Sequence, residues 1–134
     1  TGNLLMESNS DIYIDNSFGS NGTVLIVDGT IQFNSSSNIH TTNSNPKGYI
    51  MFVSTKTGNN AIELNSSAVT NALLYAPNGT VEINSSAHVV AVFAKGVEMN
   101  SSSQVVYDLG LMNANFTSGP SGGWQIGTWK EVAQ

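Results

Sequence analysis

The amino-acid sequence predicts an all-β fold, a right-handed parallel β-solenoid (β-helix) with 16–19-residue coils and an aromatic C-terminal cap. Three observations lead there. A six-residue pattern occurs five times, the copies lie too close together for crossover helices, and the last 16 residues abandon the pattern.

The copies are Ile12-Tyr13-Ile14-Asp15-Asn16-Ser17, Ile31-Gln32-Phe33-Asn34-Ser35-Ser36, Ile62-Glu63-Leu64-Asn65-Ser66-Ser67, Val81-Glu82-Ile83-Asn84-Ser85-Ser86 and Val97-Glu98-Met99-Asn100-Ser101-Ser102. Each reads apolar, polar, apolar, Asn or Asp, small polar, Ser. Aligned on Asp15, Asn34, Asn65, Asn84 and Asn100, the intervals are 19, 31, 19 and 16 residues. Alternation over the first three positions is the period of a half-buried strand, and Asn-Ser-Ser is a bend. A second strand is expected after each bend, as in Ala87–Ala94 and Ser103–Gly110. Asp28-Gly29, Pro77-Asn78-Gly79 and Lys95-Gly96 are turn signals between copies, and His40–Lys47 and Lys56–Asn60 read as polar surface inserts.

Antiparallel hairpins would not set like residues of consecutive copies side by side, whereas one coil per copy does so about 4.8 Å apart. Two inward rows then fill the axis: Ile12, Ile31, Ile62, Val81, Val97 and Ile14, Phe33, Leu64, Ile83, Met99. Right-handed winding follows the rule for parallel crossovers. The expected organisation is one domain over residues 1–134, with coils over 1–118 and a cap over 119–134 in which Trp124, Ile126 and Trp129 fold onto apolar surface.

Composition narrows the function. Asn, Ser and Thr number 17, 18 and 11, so 46 of 134 residues are small and polar, and the net charge is −5. Four dispersed Lys and no Arg give neither the basic footprint of a nucleic-acid partner nor a polybasic membrane patch. The longest apolar run, Val89–Ala94, is far short of the roughly 18 residues of a membrane span. The chain lacks Cys and opens at Thr1-Gly2-Asn3, which reads as a processed or truncated piece with an anchor upstream.

The row Asp15, Asn34, Asn65, Asn84 and Asn100 is expected to form a structural amide ladder at the corner, with Asn in the left-handed conformation. Seven Asn-x-Ser/Thr sequons follow from the same repeat. Glu63, Glu82 and Glu98 share an outward position, and three carboxylates roughly 5 Å apart form a weak candidate for Ca²⁺; otherwise no metal or other cofactor is expected. Neither His40 nor His88 has a nucleophile or carboxylate at recognisable spacing, so no catalytic residues are assigned and the chain is not expected to be an enzyme. The Thr residues share no repeat position, which argues against an ice-binding array. Trp124 and Trp129 are the candidates for stacking on sugars.

Two stretches carry a family likeness. Leu73-Leu74-Tyr75-Ala76-Pro77-Asn78-Gly79-Thr80-Val81-Glu82-Ile83-Asn84 and Val89-Val90-Ala91-Val92-Phe93-Ala94-Lys95-Gly96-Val97-Glu98-Met99-Asn100, with the closing Gly-Trp-Gln-Ile-Gly-Thr-Trp-Lys-Glu-Val from Gly123, resemble the C-terminal repeat region of PilX-type bacterial pilus assembly proteins. The likeness covers mainly residues 60–134, and Asn stands where that family often has Gly at the bend. It implies an extracellular, minor-pilin-like domain of a type IV pilus-like appendage (fimbrium), structural or adhesive, with other subunits, itself or surface glycans as partners. Alternatives are a self-assembling bactofilin-like filament subunit and a carbohydrate-active β-helix domain.

Overall fold

The structure is a computed structural model that describes residues 2–116. The expected cap, with Trp124, Ile126 and Trp129, lies outside the described residues. The described residues form β1 (Leu4–Met6), β2 (Asp11–Tyr13), β3 (Asn21–Val27), β4 (Ile31–Phe33), β5 (Asn38–His40), β6 (Ile50–Ser54), β7 (Gly58–Leu64), β8 (Val69–Ile83), β9 (His88–Met99), β10 (Gln104–Val105) and β11 (Asn115–Phe116). Two short 3₁₀ turns, Asn16–Phe18 and Leu109–Asn113, complete them, and among these residues there is no α-helix.

Every strand pairing is parallel, and the pairings fall into three ladders. The first joins β1, β4, β7 and the ends of β8 and β9, through Leu4–Ile31–Ile62–Val81–Val97 and Met6–Phe33–Leu64–Ile83–Met99. The second joins β2, β5, the starts of β8 and β9, and β10, through Ile12–Ile39–Thr70–Val89–Val105. The third joins β3, β6 and the middles of β8 and β9, through Leu25–Phe52–Leu74–Val92. The chain visits these ladders in the same order each time.

This register moves the first copy. Ile12 and Ile14 do not begin the inward rows; Leu4 and Met6 do, and Ile12 belongs to the second ladder. Measured between paired residues, the repeat intervals are 27, 31, 19 and 16 (4→31, 31→62, 62→81, 81→97). The physical reason is the sequence there: Leu4-Leu5-Met6 has an apolar residue, Leu5, at the outward position, and it is followed by Glu7-Ser8-Asn9 instead of Asn-Ser-Ser.

Inward residues of the three ladders meet in one core. Ile31, Phe33, Ile62, Leu64, Val81 and Ile83 come from the first ladder, Ile39 and Val89 from the second, and Phe52 and Leu74 from the third. Phe33 meets Phe52 edge-to-face at 5.1 Å, which ties the first ladder to the third. The corner expected at Pro77-Asn78-Gly79 is a bend inside the continuous strand β8, where the register shifts between Ala76 and Thr80. Gly79 is required there: a Cβ would lie 2.8 Å from the Lys56 carbonyl oxygen and closer still to Ala61 Cβ.

The strand expected over Ser103–Gly110 stops after β10. The chain then turns outward, Asp108 caps the Leu109–Asn113 turn by accepting from the Gly110 amide at 2.9 Å, and Leu111 is buried with Tyr49 and Val90. Val24, Met51, Leu73 and Ala91, the outer row of the third ladder, pack against this second cluster. The strap ends at β11, which pairs with the free edge of β3 through Asn115–Asn21 and Phe116–Gly22. The insert after His40 is also more than a surface loop: Thr42 is buried, donates to the Gly19 carbonyl at 2.6 Å and accepts from the Gly48 amide at 2.7 Å.

Candidate binding surface

The first corner of each repeat is built by two residue types with different tasks. Asn65 donates through Nδ2 to Oδ1 of Asn34 at 3.3 Å, Asn84 to Asn65 at 3.1 Å, and Asn100 to Asn84 at 2.9 Å. Each interior side chain is thus both donor and acceptor, which an amide permits and a carboxylate does not. The positive φ angles lie on the serines rather than on these Asn: Ser66 and Ser67 at 20° and 62°, Ser85 and Ser86 at 26° and 61°, Ser101 and Ser102 at 39° and 62°. With Ala68 N–H to Asn65 O at 3.2 Å and Ala87 N–H to Asn84 O at 3.0 Å, these are tight turns with two left-handed central residues.

Asp15 does not join the ladder. It precedes the Asn16–Phe18 turn, where its carboxylate accepts from the Ser17 amide at 2.8 Å, and the Ser17 side chain and amide hold its pKa below the usual carboxylate value. Glu7 holds the corresponding corner in the first repeat, because Asn34 follows Phe33 as Glu7 follows Met6. The ladder also bears on the sequons: the side-chain nitrogens of Asn65, Asn84 and Asn100 donate within it, and a glycan on any of them would remove a donor.

Glu63, Glu82 and Glu98 are in register along the first ladder, with Gln32 before them. They do not converge on a cation: among the described residues no three His, Asp or Glu side chains come together in a way that could hold a metal ion. Glu82 instead accepts from the side-chain amides of Asn60 at 3.1 Å and Asn100 at 3.5 Å.

His40 has the partner that the sequence reading missed. Its Nε2 lies 2.9 Å from Asp11 Oδ1, and its ring stacks on Tyr13 at 4.3 Å with only 4° between the planes. The His40 hydrogen bond first, and then Asn38, hold the Asp11 carboxyl below its usual pKa. Tyr13 and His40 are ladder neighbours of β2 and β5, 27 residues apart, the same interval that separates Leu4 from Ile31. Alignment on Leu4 instead of Asp15 is the signal that finds them. Beside them lies a groove of about 400 Å³ reaching from Ile14 through Asn16 and Asn43 to Asn71.

A second groove, of about 460 Å³, runs between Thr70, His88 and the strap at Val106–Leu109. Under the strap, burial first and then the neighbouring Asp108 carboxylate raise the Tyr49 phenol above its usual pKa. Asp108 is itself held below the usual carboxylate value, first by the Gly110 amide, and Lys47 Nζ stands 3.4 Å away. His88 sits at the start of β9, opposite Val69 and Gln104 in the second ladder. Trp124 and Trp129 lie outside the described residues. Among the described residues no helix is long and apolar enough to cross a membrane.

A family model described as a domain of unknown function, DUF7305, matches residues 1–114. No curated protein and no solved structure matches the chain.

Proposed function

The chain belongs to the DUF7305 family, and we propose that it is a right-handed parallel β-solenoid acting as a structural or adhesive extracellular domain of a type IV pilus-like appendage. In this reading it offers a rigid, polar face to other subunits, cells or glycans. The observation that carries it is the amide ladder from Asn34 to Asn100, with the Glu63–Glu82–Glu98 row beside it. Such a stack fixes polar groups at regular spacing over an apolar core, which suits display more than turnover. The PilX-like stretches over residues 73–100 support the pilus setting. Immunogold labelling of the producing cells, with antibody raised against this domain, tests it. Label on surface filaments is the expected result, and label confined to the cell interior overturns it.

The bactofilin-like filament is the second reading, and one observation favours it. At the last repeat Val97 and Met99 of β9 stand about half exposed (46% and 49%), although the same rows are buried at Val81 and Ile83. The opposite end argues against endless addition, since β11 occupies the edge of β3. A carbohydrate-active enzyme draws less support, because the three glutamates run in one row instead of facing each other across a groove.

A further inference from the structure

The groove beside Tyr13 has a composition and shape that neither the ladder nor the core uses. Tyr13 is 70% exposed, a large aromatic left in water while the apolar residues around Phe33 are sealed. Its orientation is nevertheless fixed. One ring face lies against His40, and Asp11, two residues before Tyr13 on the same strand, holds the His40 ring through Nε2. Among the described residues the opposite face of Tyr13 has no neighbouring strand, because β2 is there the terminal strand of its ladder and pairs with β5. An immobilised aromatic with one open face is a stacking platform that loses little side-chain entropy when a flat apolar surface settles on it.

The rest of the groove is mostly polar, with the amides of Asn16, Asn43 and Asn71 and the Thr41 hydroxyl beside Asp15, His40 and Ile14. Asn16 is set by its Oδ1, which accepts from the Asn43 amide at 2.9 Å, and the Asn43 and Asn71 side chains have no hydrogen-bond partner among the described residues. Each side-chain amide offers a donor and an acceptor, the pairing that vicinal hydroxyls need. Charge narrows the ligand further. Asp15 lines the groove, Asp11 stands behind His40, and among the described residues no Lys lines it, so phosphate, sulfate or carboxylate groups would be repelled. Its volume of about 400 Å³ is within the range of small-ligand sites.

We propose that this groove binds a neutral oligosaccharide, with the apolar face of one sugar ring on Tyr13 and its hydroxyls on Asn16, Asn43 and Asn71. The proposal rests on the reading of the domain as a contact surface and narrows that reading to one site and one ligand class. It is tested by amide NMR titration of the whole chain with cellotriose, with triacetylchitotriose and with a sulfated disaccharide. A neutral trisaccharide is expected to shift the amides around Tyr13, His40 and Asn71, and Tyr13→Ala is expected to weaken binding about fivefold while Tyr13→Phe retains it. Asn71→Ala, on the exposed rim, provides a second variant with the same expected loss.

Shifts confined to Trp124 and Trp129, a response to the sulfated sugar alone, or no shift at millimolar sugar would each overturn the proposal. Shifts at Tyr13 that track protein concentration instead of sugar would overturn it in favour of a second copy on this end. Failure here leaves filament labelling unaffected, so the appendage reading and the sugar site fail separately.

Discussion

Asn84 donates through Nδ2 to Oδ1 of Asn65 at 3.1 Å, although the two residues are 19 apart in the chain. The same side chain accepts from Asn100, so it is bonded on both sides, whereas Asn100 is the ladder's last rung. Asn84→Ala leaves the half-buried Asn65 Oδ1 without its donor and Asn100 Nδ2 with only its 3.5 Å contact to Glu82, at a cost of about 1–3 kcal/mol. Asn100→Ala, at the exposed end, should cost less than half as much. Urea denaturation of the two variants makes the comparison, and equal midpoints would show that the ladder contributes nothing by its continuity.

The serines of the corner lead to a second expectation. Ser86 sits at φ 61°, where a Cβ is strained and glycine is not. Glycine also adds freedom to the unfolded chain, which offsets part of the relief. Ser86→Gly should therefore leave stability unchanged or raise it by about 0.5 kcal/mol, while the β-branched Ser86→Val should lower it by about 1–2 kcal/mol. Thermal unfolding in which Gly and Val were equally harmful would remove the left-handed turn as the explanation.

Core and surface aromatics should separate clearly. Phe33 is wholly buried against Phe52, and Phe33→Ala is expected to cost about 3–5 kcal/mol through lost transfer energy and the cavity left behind. Phe93 stacks on Tyr75 at 5.0 Å but stays 59% exposed, so Phe93→Ala should cost about 1 kcal/mol or less. The difference in denaturation midpoint decides whether one shared core carries the fold.

Much of this was legible from the chain. The Asn-Ser-Ser bends mark the Asn34, Asn65, Asn84 and Asn100 corners because an amide and two small residues are what that corner needs chemically. The first repeat misleads because Glu7-Ser8-Asn9 makes a related bend with different residues, while Asp15-Asn16-Ser17 matches the pattern but forms a 3₁₀ turn. The third ladder was hidden for a different reason. Its strands read as apolar runs such as Met51-Phe52-Val53, because the strap at Leu111 covers the outer row and removes the polar alternation. The Tyr13–His40 pair is invisible to local motifs, since only the 27-residue register joins it.

The Asp11–His40 contact predicts a pH dependence with a definite sign. Asp11 titrates below its ordinary 3.8 chiefly because the His40 side chain bonds its charged form. A carboxyl whose folded pKa is depressed adds stability above its unfolded pKa and loses it as pH falls through the folded value. In carboxyl-detected NMR the Asp11 midpoint should lie below 3.8 and move up towards it in His40→Ala. An unmoved midpoint would mean that Asn38, the next contributor, holds the carboxylate by itself.

The two ends of the stack are unlike, and that bears on assembly. At one end, Val97 and Met99 present the inward rows of the first ladder with no strand beyond them among the described residues. At the other, the β3 edge is already taken by β11 from the same chain. A head-to-tail neighbour would have to displace β11 before its third ladder could continue, whereas two copies meeting along the end of β9, past its pairing with β10, displace no strand among the described residues. Light scattering across a concentration series should therefore show monomers giving way at most to dimers, and Val97→Lys should return any dimer to monomer by placing a charge in the joint. Growth into long unbranched fibres would show that β11 yields to a second copy, and would make filament building the domain's task.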